Sequence, residues 1–205
     1  MPGTILVIRR RRPIGEPPSL QPGSIRSAAV LKGTKGASRI LHGLAELGVP
    51  ISTVIQSVHE TDTSPGELAG LDVGRQFTRV AIGSHLVNLP DPDVRRAFLE
   101  AARRHLVGDC DVYVEHHPLD WASTAAEVKA TPGGSELGMA DVRRDPPWVS
   151  AVSVYDVGGR MVRQPFTARV LSDEELDVEL EAAGLARRQR LSPTWILAGP
   201  AEPGF

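Results

Sequence analysis

Two short runs form the densest cluster of side chains that could move a proton near neutral pH. GSHLVN carries Ser84, His85 and Asn88, and EHHPLDW carries Glu115, His116, His117, Asp120 and Trp121. His and Glu are the natural general acid and base there. His85 is the leading catalytic candidate, with Glu115 or His116 orienting it or sharing the proton. Ser84, Asn88 and Asp120 are candidate substrate-binding residues. Trp121 and Tyr155 would shape an apolar wall, and Gln164 would add a polar contact. Blander readings stand beside these. Asp120 and Trp121 can simply cap a helix, and at most one of His116 and His117 points into a cleft, because neighbours alternate faces. No tight ligand motif is present, so no metal is expected.

A second stretch, AVLKGTKGASRI at residues 29–40, has the outline of a cofactor loop: an apolar run, small residues and glycines, then a helix start. It lacks the Walker spacing of a phosphate loop and the three spaced glycines of a dinucleotide fingerprint.

Composition narrows the classes. The chain has 205 residues and a formal net charge of -2, which fits one domain and gives no reason to expect nucleic acid or an anionic membrane as partner. A single cysteine, Cys110, forms no intrachain disulfide and suits a reducing cytosol. No stretch is long and apolar enough to span a bilayer. A cytoplasmic protein with a small-molecule substrate is expected.

Residues 1–26 read as a mobile, basic, Pro-rich arm with one short strand at Ile5–Ile8; the domain proper is 27–200. Strands are expected at Ser27–Leu31, Ile51–Gln56, Thr78–Ile82 and Cys110–Glu115, and a helix over Ser38–Leu47. Asp91, Pro92 and Asp93 open a second helix that runs toward Gly108. This alternation argues for an α/β, doubly wound, mostly parallel sheet of Rossmann type. Residues 117–147 form an excursion with a helix near Ser123–Lys129. Gly158-Gly159 marks a hairpin within 149–170, and its Tyr155, Gln164 and Phe166 could line a substrate or a homodimer face. Ser172 and Glu175 form a capping box, and Gly184 ends that helix. Antiparallel strands follow at Arg187–Leu191 and Trp195–Ala198.

The segments GSHLVNLPDPDVRRAFLEAARRHL, VEHHP and RQPFTARVLSDEELDVELEAAGL resemble the class I S-adenosylmethionine-dependent methyltransferases, in particular small bacterial members, over about residues 27–198. The resemblance implies that the strands ending before His85 and at Glu115 are neighbours, so the two proton-moving runs converge. It also implies a cofactor site, and there the sequence departs from the pattern. The acid after the first strand falls on Lys32, and the glycine positions fall on Thr34, Gly36 and Ser38. The ribose-binding acid falls on Ile55, and a third acid on Thr78. Gly36 and Glu67 (with Asp72 as the alternative to Glu67) are what remains of the cofactor-binding set. Lys32 beside a cationic cofactor would cost roughly 1–4 kcal/mol at about 4 Å, and a ribose hydroxyl facing Ile55 about 1–3 kcal/mol.

From this the sequence favours a methyltransferase fold that uses no cofactor and acts on a small secondary metabolite by cyclisation, isomerisation or elimination. The alternatives are an active S-adenosylmethionine-dependent small-molecule methyltransferase, and a non-catalytic partner protein.

Overall fold

The computed structural model describes residues 4–10, 44–47, 53–60, 76–83, 85–129, 138–157 and 160–201. The expected strand Ser27–Leu31, the stretch 29–40 with Lys32 and Gly36, Glu67, Ser84 and the turn Gly158-Gly159 lie outside the described residues.

Four parallel strands lead the larger sheet: β1 (Thr4–Arg10), β2 (Thr53–Glu60), β3 (Phe77–Ile82) and β4 (Leu106–Glu115). Between β3 and β4 the chain forms a 3-10 turn, Leu86–Asn88, and helix α1 (Pro92–Arg104). After β4 comes the short helix α2 (Trp121–Thr124), then β5 (Gly138–Asp145), β6 (Trp148–Val157) and β7 (Arg160–Arg169). Helix α3 (Asp173–Ala182), β8 (Leu185–Ser192) and β9 (Trp195–Pro200) complete the fold.

The larger sheet has the order β2-β1-β3-β4-β9-β8, and β5-β6-β7 form a separate sheet. The sheet is α/β with helical segments against both faces, but it is mixed rather than mostly parallel: β9 runs antiparallel to both β4 and β8. The reason is local. β8 and β9 are joined by a two-residue turn at 193–194, a connection available only to antiparallel neighbours. The same rule makes β5, β6 and β7 an antiparallel sheet of their own.

β1 corrects the expected boundary at residue 26. The strand anticipated inside a mobile arm is longer than Ile5–Ile8 and lies within the sheet, parallel to β2 on one side and β3 on the other. β2 also runs past Gln56 to Glu60.

Two cores sandwich the sheet. On one face Val80 and Ile82 of β3 meet Phe98, Leu99 and Ala102 of α1 and Leu176 and Leu180 of α3. On the other, Ala81, Tyr113 and Trp195 pack on Leu44, which sits in the helical turn at 44–46. The alternation of β3 feeds both.

The ends of the helices follow their residues. The Asp91 side chain accepts from the Asp93 and Val94 amides, with Pro92 at the first position. That helix ends at Arg104, before the expected Gly108, because Leu106 already belongs to β4. Ser172 and Glu175 close a reciprocal capping box. Gly184, at φ 71, supplies the left-handed residue after α3. Arg95, 1% exposed, ties α1 to α3: its guanidinium donates to the Leu89 and Pro90 carbonyls and to Glu179 at 2.6 Å.

Candidate functional site

β3 and β4 are parallel neighbours, with Ile82 paired to Val114. Their carboxyl ends therefore open at the same place, where open α/β sheets receive ligands. His85 leaves β3 in the left-handed region, at φ 54 and ψ 36, and opens the 3-10 turn. A non-glycine residue there costs of order 1–3 kcal/mol and is typical of functional sites. The conformation brings His85 Nε2 to 3.7 Å from Glu115 Oε1, the last residue of β4. Glu115 is buried and His85 partly exposed.

A tier of rings continues from that pair. His85 stacks on His117 at 3.8 Å between ring centroids, and His117 stacks on Trp121 at 3.6 Å. In extended backbone, residues two apart share a face. Glu115 and His117 thus turn to His85 together, while His116 turns away.

His116 belongs to a different cluster. Its Nδ1–H donates to the His117 carbonyl (2.9 Å), which fixes the tautomer, and its Nε2 accepts from Arg190 Nη1 (3.3 Å). Arg190 is paired in turn with Asp173 at the start of α3. Burial pushes the His116 imidazole below its ordinary pKa; the His117 carbonyl works against this and the Arg190 cation adds to it. For Asp173, burial alone would raise the carboxyl, yet the Arg190 and Arg187 guanidiniums hold it below the usual range. His116, Leu119, Asp173 and Arg190 line a cleft of about 630 Å³, so His116 does not share a proton with His85 or orient it.

Asn88 is buried, and both arms of its amide are engaged by backbone. Nδ2 donates to the Arg169 carbonyl and Oδ1 accepts from the His117 amide, each at 2.9 Å. The amide is turned to the protein rather than held out to a substrate. Asp120 occupies the first position before α2 but makes no side-chain cap; its backbone carbonyl accepts from the Ser123 and Thr124 amides and hydroxyls. These bonds start the helix at Trp121, earlier than Ser123, and it ends at Thr124.

Trp121 also touches the small core in which Ala122 and Ala125 meet Val149 and Val170. Through it the second sheet is anchored beside the ring tier. In β6–β7 register Ala151 faces Phe166, Ser153 faces Gln164 and Tyr155 faces Val162. Directly opposed residues share a face, which places Gln164 and Phe166 on the face that carries Val149. A larger cavity of about 770 Å³ lies against this sheet, bordered by Pro90, Glu127, Asp141, Val152 and Phe166. Neither cavity is lined by His85 or Glu115. The pair lies at the strand ends rather than in either cavity.

Sequence reasoning favoured His116 over His117. The spacing of two residues between Glu115 and His117 was the signal that could have reversed this. Arg190 and the double use of Asn88 had no local signal. Among the described residues no group of three His, Cys, Asp or Glu could hold a metal ion, and no helix is long and apolar enough to cross a membrane.

No protein-family model matches the sequence, and no curated protein matches it. Solved structures do. The chain is similar to an S-adenosylmethionine-dependent methyltransferase from Clostridium acetobutylicum (12% identity, 81% of this chain and 71% of that one, TM-score 0.53). It is also similar to the CcbJ methyltransferase from Streptomyces caelestis (17% identity, 98% and 84%, TM-score 0.56). A third is the sugar N-methyltransferase KedS8 from Streptoalloteichus (13% identity, 98% and 81%, TM-score 0.56). The chain has a class I methyltransferase-like fold.

This likeness overturns the expectation that no cofactor is used, since such neighbours include an S-adenosylmethionine-dependent enzyme. The structure also shifts the strands to which that expectation was tied. The expectation laid the cofactor pattern after a first strand at Ser27–Leu31, but the strand between β2 and β3 is Thr4–Arg10. The ribose position was placed at Ile55, whereas β2 ends on an acid, Glu60, in register with Arg10 of β1.

Proposed function

We propose that this chain transfers a methyl group from S-adenosylmethionine to a small molecule, and that His85 and Glu115 handle the acceptor's proton. The observation that carries the reading is the meeting of His85 and Glu115 at adjacent strand ends in a fold shared with methyltransferases.

One residue type in the sheet suits the cofactor: β2 ends on an acid, Glu60, beside β1, the residue type that accepts from ribose hydroxyls in doubly wound folds. When bound, S-adenosylmethionine supplies a methyl group carried on a cationic sulfur. The chain's own task is then to present a nucleophile free of its proton. A gap of 3.7 Å between His85 Nε2 and Glu115 Oε1 exceeds a direct N–H···O bond of about 2.7–3.2 Å. An acceptor N–H or O–H can enter there and donate to either atom. His85 would take the acceptor's proton and the buried Glu115 carboxylate would stabilise the imidazolium so formed, leaving the acceptor's lone pair for the methyl carbon while the cofactor's sulfur would keep the electron pair of the bond it gives up. The rings of His117 and Trp121 back His85 and keep its plane fixed.

The test is calorimetry with S-adenosylmethionine, followed by incubation with methyl-labelled cofactor and a panel of small amines, phenols and polyols. Heat of binding and label on at least one acceptor are expected. No heat up to millimolar cofactor, together with no labelled product, would overturn the reading.

A further inference from the structure

We propose that Asn88 is a positioning residue: by tying the exit of β4 to the last residue of β7, it holds His117 between His85 and Trp121 and so sets the angle at which His85 meets Glu115. The inference deepens the reading above and rests on it for its catalytic part.

The geometry admits one orientation of the amide. A backbone N–H can only donate and a carbonyl can only accept, so Oδ1 must face the His117 amide and Nδ2 the Arg169 carbonyl, as found. These partners lie 29 and 81 positions away in sequence, so the bonds join separate elements rather than close a local turn. Asn88 is 2% exposed, and a buried partner that loses its bond stays unpaired. The backbone at His117 is thereby pinned, and its ring is stacked on both sides. His85 caps the 3-10 turn that contains Asn88, and the Asn88 backbone N–H donates to the His85 carbonyl (2.9 Å). One residue therefore fixes both histidines of the tier. The far end of the clamp is also anchored: the Arg169 side chain pairs with Glu175 of the α3 capping box, and the Val170 amide donates to the Pro147 carbonyl.

Three measurements on the full chain decide it. In the unaltered protein, the His117 amide should exchange with solvent roughly 100-fold more slowly than a free amide; free exchange overturns the clamp. By NMR, the His117 ring protons should show the shift of a ring between two others. In Asn88→Ala they should move toward free-imidazole values, while Asn88→Asp, which keeps the acceptor for the His117 amide, should retain most of the shift. Wild-type shifts in folded Asn88→Ala overturn the proposal. In methyl transfer, Asn88→Ala should lower kcat by about 10- to 100-fold with KM nearly unchanged, the scale of a misplaced reacting group. If both variants only melt earlier and keep the wild-type kcat, Asn88 is structural and the proposal fails. Should Asn88→Ala not fold, the amide exchange and Asn88→Asp still decide. If the unaltered protein methylates nothing, the functional reading falls, while the exchange and ring shifts still judge the clamp.

Discussion

His116 and His117 are adjacent, and the fold uses them in opposite ways. His117 lies in a tier with His85 and Trp121 beside a buried carboxylate. His116 has both ring nitrogens committed, one to a carbonyl and one to Arg190, in a cluster that joins the end of β4 to α3 and β8. The difference is one step of an extended chain. It shows that a dense polar run does not define a site; the face each member takes does. It also shows two kinds of histidine. One is held by ring contacts with its neighbours, the other is kept neutral by burial and a nearby cation.

The sharpest way to break this contrast is to remove each side in turn. Glu115→Gln and His85→Asn should each lower the rate of methyl transfer about 100- to 10,000-fold, the usual cost of a positioned acid or base. Asn is chosen at 85 because it tolerates the left-handed backbone found there. His116→Gln should leave the rate within a few fold. A His116→Gln protein that is folded and as slow as Glu115→Gln would reverse the assignment.

A second comparison separates folding from chemistry. Arg95 and Glu179 form a buried pair outside the ring tier, at 2.6 Å with side-chain exposures of 1% and 11%. Removing one partner of such a pair typically costs 3–5 kcal/mol. Arg95→Ala should therefore lower the denaturation midpoint far more than His85→Asn does, yet keep near-normal turnover per folded molecule at low temperature. An Arg95→Ala protein as stable as wild type would mean that the bonds to Leu89, Pro90 and Glu179 carry no net stability.

Much of this arrangement was legible before any coordinates. The caps at Asp91 and Ser172 are local rules and appear as read. The meeting of His85 with Glu115 and His117 was implied by the family resemblance, which made their strands neighbours. The position of β1 was not legible, because two short apolar runs, ILVI and AAVL, compete for the same role and periodicity does not say which one enters a sheet. The antiparallel β8–β9 pair is as its turn implied; that β9 pairs with β4 and so makes the main sheet mixed was not legible, because that pairing is long-range. Asn88 read as substrate-facing because its amide is polar and near the site; that it is consumed by Arg169 and His117 depends on contacts no local pattern encodes.

The smallest expected effect concerns pH and tests the His116 side directly. Its imidazole lies below its ordinary pKa of about 6.5 in the folded protein. The unfolded chain takes up a proton there first as pH falls, so it binds more protons than the native state between the folded value and about 6.5. The full contribution of a neutral His116 is therefore present above about pH 6.5, and stability declines as pH drops through that window. Below the folded value both states are protonated and the decline from this group stops. Asp173 works in a lower range. Its depressed carboxyl supports the fold above the ordinary Asp value, and that support is lost only as pH falls through its folded pKa. Melting curves from pH 7.5 to 5, for wild type and His116→Gln, read the first effect. Wild type should lose stability with acid across the window, and His116→Gln should show a shallower slope. Equal slopes would mean that His116 is not held neutral, and that the contrast with His117 rests on contacts alone.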